Sequence, residues 1–219
     1  MDYDWEQRVN TTSATVSWQA RLLGIFHSPY QPTDPTLFRE MMAELTRDSR
    51  EFNFREFTFI DIGSGKGRTL LLASEYPFRK IVGVELIPEL HRAAEENVAA
   101  YRSKSSPASS DAGVERTTPS DAPAITTLCL DARHFVFPDS PLLVYLFNPL
   151  PEARLREVIR NIETSWQSSP RDIWILYHNA VSERVLAESP LIVKVAEKPE
   201  YSVFRTKPTT VPRPAPPGP

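Results

Sequence analysis

Glycine is scarce in this chain, with seven among 219 residues. Three of the seven, Gly63, Gly65 and Gly67, fall within five residues of "FTFIDIGSGKGRTLLLAS", residues 57–74. Cysteine is scarcer still. Cys129 stands alone, which excludes an internal disulfide and suits a reducing compartment. Placed in the apolar run "TTLCL", it reads as a small buried hydrophobe rather than a reactive thiol. Neither sign of charge dominates: 25 Lys and Arg face 28 Asp and Glu, a formal net charge of −3. No run of Lys/Arg is present that would follow a phosphate backbone, so composition gives no push toward nucleic acid. Long apolar runs are missing too. The longest strong one, "LLVYLF" (142–147), is far short of the roughly 20 residues that cross a bilayer. The opening "MDYDWEQRVN" is acidic and polar, unlike a signal peptide. A cytoplasmic protein without membrane insertion is the expectation, with 41% hydrophobic residues to build one sizeable core.

What is there alternates between two periodicities. "EFTFID" (56–61), "KIVGVEL" (80–86), "AITTLCL" (124–130), "PLLVYLFN" (141–148) and "RDIWILYHN" (171–179) read as buried strands, and "LIVKVAE" and "YSVFRT" as two closing strands. Helices fall between them. Residues 67–75 form one; Leu90, Ala94, Val98 and Tyr101 share a face in a second; Leu155, Val158, Ile159, Ile162 and Trp166 do so in a third, and a short one lies near Ser182–Glu188. Strands alternating with helices imply an α/β fold, a doubly wound and mostly parallel sheet covered on both faces. Upstream, Asp34 followed by Pro35 reads as a helix N-cap and first helical position, with Phe38, Met41, Met42 and Leu45 on one face. "TVSWQARLLGIF" (15–26) suggests another helix over the carboxyl ends of the strands. The expected division is an N-terminal helical segment over residues 1–49, the α/β domain over 50–206 with a Ser/Pro-rich flexible loop at 102–123, and a disordered Pro-rich tail at 207–219.

A glycine loop between the first strand and its helix sits where open α/β sheets bind ligands. A phosphate-binding Walker loop requires G-x-x-x-x-G-K-[ST], and position 60 is Ile while position 67 is Gly. A dinucleotide loop wants G-x-G-x-x-G, yet Arg68 stands at the third-glycine position. D-x-G-x-G-x-G fits in full, with Asp61, Gly63, Gly65 and Gly67 around Ser64 and Lys66. Eighteen residues after Gly67, Glu85 ends the second strand, where an acid can hold ribose hydroxyls.

This arrangement resembles motif I of the class I S-adenosylmethionine-dependent methyltransferases, whose seven-stranded sheet ends in an antiparallel strand. The resemblance implies S-adenosyl-L-methionine as cofactor, held by Asp61, Gly63, Ser64, Gly65, Gly67, Glu85 and Leu86. It also brings Asp131 and Ala132 to the adenine, although an Asp capping a short helix accounts for "CLDARHF" as well. "LFNPLP" ends the fourth strand at Asn148 and is similar to the [DN]-P-P-[YFW] signature of amino-group methyltransferases; Leu150 and Pro151 replace its last two residues. The resemblance makes Asn148 a catalytic residue at the cofactor's methyl group, beside the alternative of a plain Asn-Pro turn. "YQPTDPTLF", with Tyr30 and Pro32 ahead of a helix, looks like the segment over the cofactor in seven-strand protein-lysine methyltransferases. Those are the mitochondrial ATP synthase c-subunit lysine methyltransferase group and the non-SET histone H3 lysine methyltransferase. From Tyr30 to about Arg205 the chain also looks like an uncharacterised bacterial methyltransferase family.

The reading that follows is methyl transfer to an amine or amide nitrogen, with protein lysine favoured and Tyr30 and Asn148 as the catalytic pair. A nucleic-acid base is disfavoured by the missing aromatic after Asn-Pro, and a small-molecule amine stays open. A scaffold or sensor that binds the cofactor without turnover is the alternative, and an NAD-dependent oxidoreductase a further one. No metal is expected: His27, His91, His134 and His178 are scattered, and His178, at the end of the fifth strand, could face the substrate, with a surface residue as the default reading.

Overall fold

Five of the strands are apolar almost without interruption, which suits only strands covered on both faces. In the computed structural model they form that kind of layer. The structure describes residues 3–12, 32–47, 52–105, 123–147 and 150–207. Strands β1 (Thr58–Ile62), β2 (Lys80–Glu85), β3 (Ile125–Cys129), β4 (Leu142–Phe147) and β5 (Ile173–His178) run parallel, while β7 (Tyr201–Thr206) is antiparallel to both β5 and β6 (Ile192–Glu197). Their order across the sheet is β3-β2-β1-β4-β5-β7-β6. The expected doubly wound seven-stranded sheet with its antiparallel last strand is what the chain forms.

Helices cover both faces. On one lie α1 (Tyr3–Gln7), α2 (Pro35–Thr46), α3 (Arg68–Ala73) and α4 (Pro88–Ser105); on the other lie α5 (Glu152–Ser168) and α6 (Arg184–Ala187). Side-chain alternation along β1 and β4 divides the core accordingly. Phe59, Leu143 and Tyr145 pack with Phe38, Met41, Met42 and Leu71, whereas Ile60, Ile62, Val144 and Leu146 pack with Leu155, Val158 and Ile162. The α2 start is the expected one: Asp34 accepts from the backbone N–H of Thr36 and Leu37, with Pro35 next. Its apolar face, Phe38, Met41, Met42 and Leu45, is buried.

Cys129 departs from expectation. It is exposed, because β3 is an edge strand and Cys129 is its last residue, beyond the cover of the flanking helices. The helix expected over 15–26 and most of the loop and tail segments lie outside the described residues. Among the described residues no helix is long and apolar enough to cross a membrane.

Candidate functional site

Strand order reverses between β1 and β4, so the crevice of this sheet opens at their carboxyl ends. The glycine loop fills one side of it. Gly63 and Ser64 donate backbone N–H to Val84 O (2.8 and 3.2 Å), and Gly67 closes the turn onto Ser64 O (2.8 Å). All three loop glycines have positive φ, 78°, 53° and 82°, a region that costs an L side chain about 1–2 kcal/mol and a β-branched one more. The loop also needs Gly83 behind it: a Cβ there would stand 2.6 Å from Leu70 Cδ1 and 2.8 Å from Ser64 Oγ. Ser64 is accordingly buried, its hydroxyl packed on β2.

Two carboxylates sit under this loop. Glu85 is buried and accepts from Gly65 N (2.8 Å) through one oxygen and Ile87 N (2.9 Å) through the other. Burial nonetheless pushes its carboxyl up, against the pull of the N–H groups of Ile87, Gly65 and Leu86. Asp61 is buried at the end of β1. Desolvation first, then the neighbouring Glu85 charge, push it up to about 8, with only a hydrogen bond from Thr69 opposing them. His91 acts on Glu85 as a positive charge, but no cation is among the groups that shift Asp61, so burying that acid costs stability unless something positive arrives. Leu86, half-buried, follows Glu85 at the strand end.

Asp131 lies past β3, where the structure shows the capping role of the two weighed for it. It caps a 3-10 helix (Ala132–His134) through Arg133 N, and its two oxygens take the Arg133 guanidinium at 2.7–3.0 Å. Those bonds hold its carboxyl below the usual range. Ala132 is buried beside it.

On the other side of the crevice the described strand ends carry a tyrosine, a phenylalanine and a histidine. Tyr145 stands opposite Asp61 in the β1–β4 register. It is fully buried, and its hydroxyl joins Thr33 Oγ1 (2.9 Å) to His178 Nδ1 (2.7 Å). Burial raises the Tyr145 hydroxyl well above its ordinary value. His178 is a correction: it is 7% exposed rather than a surface residue, and burial lowers it to about 4, leaving the ring neutral. Phe147 stacks on it with ring centroids 3.7 Å apart and planes 15° apart. Tyr30 and Asn148, the expected catalytic pair, lie outside the described residues.

A further set of residues has no counterpart in the sequence reading. Arg68 begins α3, where the positive end of the helix dipole disfavours a cation. It is buried and pairs with Asp4 Oδ1 (2.9 Å), Thr11 Oγ1 (2.6 Å) and Thr12 Oγ1 (2.8 Å), with Tyr3 under the guanidinium at 5.2 Å. Burial opposes the Asp4 charge, but Thr11, Thr12 and Arg68 hold its carboxyl down at about 2. Asn97 of α4 exchanges bonds with the backbone of Asn10 (2.8 and 3.1 Å) and accepts nothing more from the loop, to which it donates at Lys66 O (3.0 Å). Residues 3–12 are thus tied to the glycine loop itself. An arginine at a helix start was the one signal of this in the sequence. Among the described residues, no group of three or more His, Cys, Asp or Glu could hold a metal.

No family model matches the chain, and no curated protein matches it in sequence. Solved structures do match in shape. The putative methyltransferase yhhF of Escherichia coli superimposes with a TM-score of 0.55 at 14% identity, over 83% of this chain and 90% of that one. A mutant of MtNAS in complex with S-adenosylmethionine gives 0.50 at 18% identity, over 78% and 61%. Magnesium protoporphyrin IX methyltransferase of Synechocystis, with bound S-adenosylmethionine, gives 0.49 at 10% identity, over 93% and 89%. The fold is the α/β methyltransferase fold. In such a sheet the glycine loop, Glu85 and Asp131 follow one another along the carboxyl ends of β1, β2 and β3, with β4 and β5 on the far side of the loop.

Proposed function

We propose that this protein binds S-adenosyl-L-methionine and transfers its methyl group to an amine or amide nitrogen, with a protein lysine as the favoured acceptor. The observation that carries the cofactor half is the Asp61–Glu85 pair: two buried carboxylates, raised by desolvation and with no cation among the groups that shift Asp61, beside a loop of positive-φ glycines. A ligand that brings positive charge and hydroxyl donors relieves that burial. The nicotinamide and adenine nucleotides bring anionic phosphates and aggravate it. S-adenosylmethionine carries a sulfonium and an ammonium for Asp61 and ribose hydroxyls for the lone pairs of Glu85 that backbone N–H groups leave over.

When bound, the cofactor supplies an activated methyl group open to in-line attack by a neutral nucleophile. The protein's part is alignment and exclusion of water. On this reading Asn148, next in sequence after Phe147, would supply an amide oxygen to an acceptor N–H. A lysine, whose reference pKa is ~10.4, has to enter neutral, and Phe147 with an uncharged His178 over the buried Tyr145 disfavours an ammonium by desolvation. Residues 1–49, by this reading, cover the cofactor, with 3–12 already anchored on its loop.

The test is thermal melting with S-adenosylhomocysteine, NAD and ATP in parallel. S-adenosylhomocysteine at 100 times its dissociation constant stabilises by about 2.7 kcal/mol, and the nucleotides leave the melting temperature unchanged. An absence of any shift at millimolar S-adenosylhomocysteine removes the cofactor assignment. Asn148→Ala then separates turnover from binding: transfer of labelled methyl falls while S-adenosylhomocysteine affinity stays. A product labelled on oxygen or carbon overturns the nitrogen assignment.

A further inference from the structure

The side-chain bonds linking Thr33, Tyr145 and His178 are not part of the sheet's own ladder, yet the three are buried, bonded at 2.9 and 2.7 Å, and lead to His178 at the carboxyl end of β5. Thr33 sits three residues after Tyr30, so the chain joins the segment ahead of α2 to the two strands on the far side of the crevice from Glu85. His178 is locked in two ways. Phe147 fixes the plane of its ring, and Tyr145 takes Nδ1. With Nδ1 turned inward, Nε2 is the nitrogen left for a ligand, and it makes no hydrogen bond among the described residues. We propose that His178 binds the methyl acceptor, accepting an N–H of the incoming nitrogen on Nε2, with Tyr145 and Thr33 as positioning residues that set its tautomer. This rests on the methyl-transfer reading above.

The polarity of the chain follows from the acceptor's needs. A nitrogen attacking a methyl group points its lone pair at the carbon, so it has only N–H bonds to offer its surroundings. A ring that presented Nε2–H would compete for that lone pair. The productive order is therefore Nδ1–H donating to Tyr145 Oη, and the Tyr145 hydroxyl donating to Thr33 Oγ1. Tyr145 is suited to the middle position because it keeps its proton throughout. A general-base role fails on magnitude. A ring lowered by burial to about 4 is far too weak a base to take the proton of a lysine ammonium, whose reference value is ~10.4. Staying neutral has its own use, since an imidazolium here would repel a sulfonium. His178 thus orients the nitrogen and leaves deprotonation to solvent before the acceptor enters.

Two measurements test this on the full chain. First, long-range proton–nitrogen spectra of protein labelled in histidine with ¹⁵N, bound to S-adenosylhomocysteine, report the ring directly, and His178→Asn assigns its signals among the four histidines. The expected result is a neutral ring with its proton on Nδ1 near pH 6.5, converting to mixed tautomers in Tyr145→Phe. A proton on Nε2, or a charged ring, overturns the proposal. Second, His178→Asn keeps a donor for Tyr145 but removes the outer nitrogen, while His178→Gln reaches the outer position. With tritiated S-adenosylmethionine and cell-lysate protein, His178→Asn is expected to cut methyl transfer at least tenfold with S-adenosylhomocysteine affinity within twofold, and His178→Gln to recover part of the loss. Wild-type transfer by His178→Asn overturns the assignment. Failure of the wild-type protein to bind S-adenosylhomocysteine is a separate result: it removes the methyltransferase reading, whatever the ring spectra show.

Discussion

Along the carboxyl edge of the sheet, the β1–β2 half and the β4–β5 half are built on opposite electrostatic plans. The first gathers two buried carboxylates under a turn of backbone N–H groups, with both acids raised by desolvation. The second replaces charge with a hydroxyl, a neutral imidazole and a stacked phenyl ring. One register step separates them, Asp61 facing Tyr145. On the proposed reading, that contrast suits a cationic methyl donor on the first half and a neutral nucleophile on the second.

The sharpest way to break this division is to damage one half and measure both functions. Gly65→Val places a β-branched side chain at φ 53° and breaks the turn that presents Gly65 N to Glu85. S-adenosylhomocysteine affinity should fall more than 100-fold by calorimetry. Binding within tenfold of wild type would place the cofactor elsewhere.

Glu85→Ala comes next. It removes a carboxylate from two buried N–H groups and from any ribose hydroxyls, a loss of roughly 2–4 kcal/mol, or about 30- to 700-fold in affinity. Tyr145→Phe, its counterpart across the crevice, should leave S-adenosylhomocysteine affinity within threefold. Equal losses from both variants would show that the two halves are one site and that the division is false.

Much of this was legible beforehand, and the reasons differ by region. The strands were, because a parallel sheet covered on both faces writes itself as unbroken apolar runs such as "LLVYLF". So was the glycine loop, because chain-local geometry forces the residue type at Gly63, Gly65 and Gly67. Residues whose state depends on distant partners were not. Arg68 reads only as a mismatch to a dinucleotide loop, since Asp4 lies 64 positions upstream. His178 reads as a surface residue because its burial comes from Tyr145 and Phe147 on another strand. Cys129 erred the other way: the run around it is apolar, but strand order puts β3 at the edge.

A pH series sharpens the charged half. Asp61 is raised from an ordinary carboxylate value to about 8, so the folded chain binds more protons than the unfolded one between pH ~4 and ~8. The ligand-free protein should lose stability as pH rises through that window, by at most ~1.4 kcal/mol per unit for one proton. Asp61→Asn should flatten the slope. Because a sulfonium favours the ionised acid, S-adenosylmethionine should bind more tightly as pH rises through 8, with proton release visible as a buffer-dependent binding enthalpy. A melting temperature that climbs over the same window would contradict the sign.

The smallest effect concerns Asp131, the third acid on the cofactor side. It differs from Asp61 and Glu85 in having a guanidinium bonded to it: Arg133 occupies both of its oxygens, and Glu157 holds the far end at 3.0 Å. With side-chain exposures of 33% and 19%, this pair is partly solvated and screened by water, so it adds little to stability. If Asp131 accepts from an adenine amino group, the guanidinium competes for the same lone pairs. Arg133→Ala should then raise S-adenosylhomocysteine affinity by about two- to threefold, the scale of one partly exposed hydrogen bond. Asp131→Ala should lower it by a similar factor, with a small stability loss from the missing cap on Arg133 N. The opposed signs matter more than the sizes, because a helix cap alone makes both variants lose stability and neither change affinity. Unaltered affinity in both by calorimetry would leave Asp131 as a cap and confine cofactor recognition on this half to Asp61, Glu85 and the glycine loop.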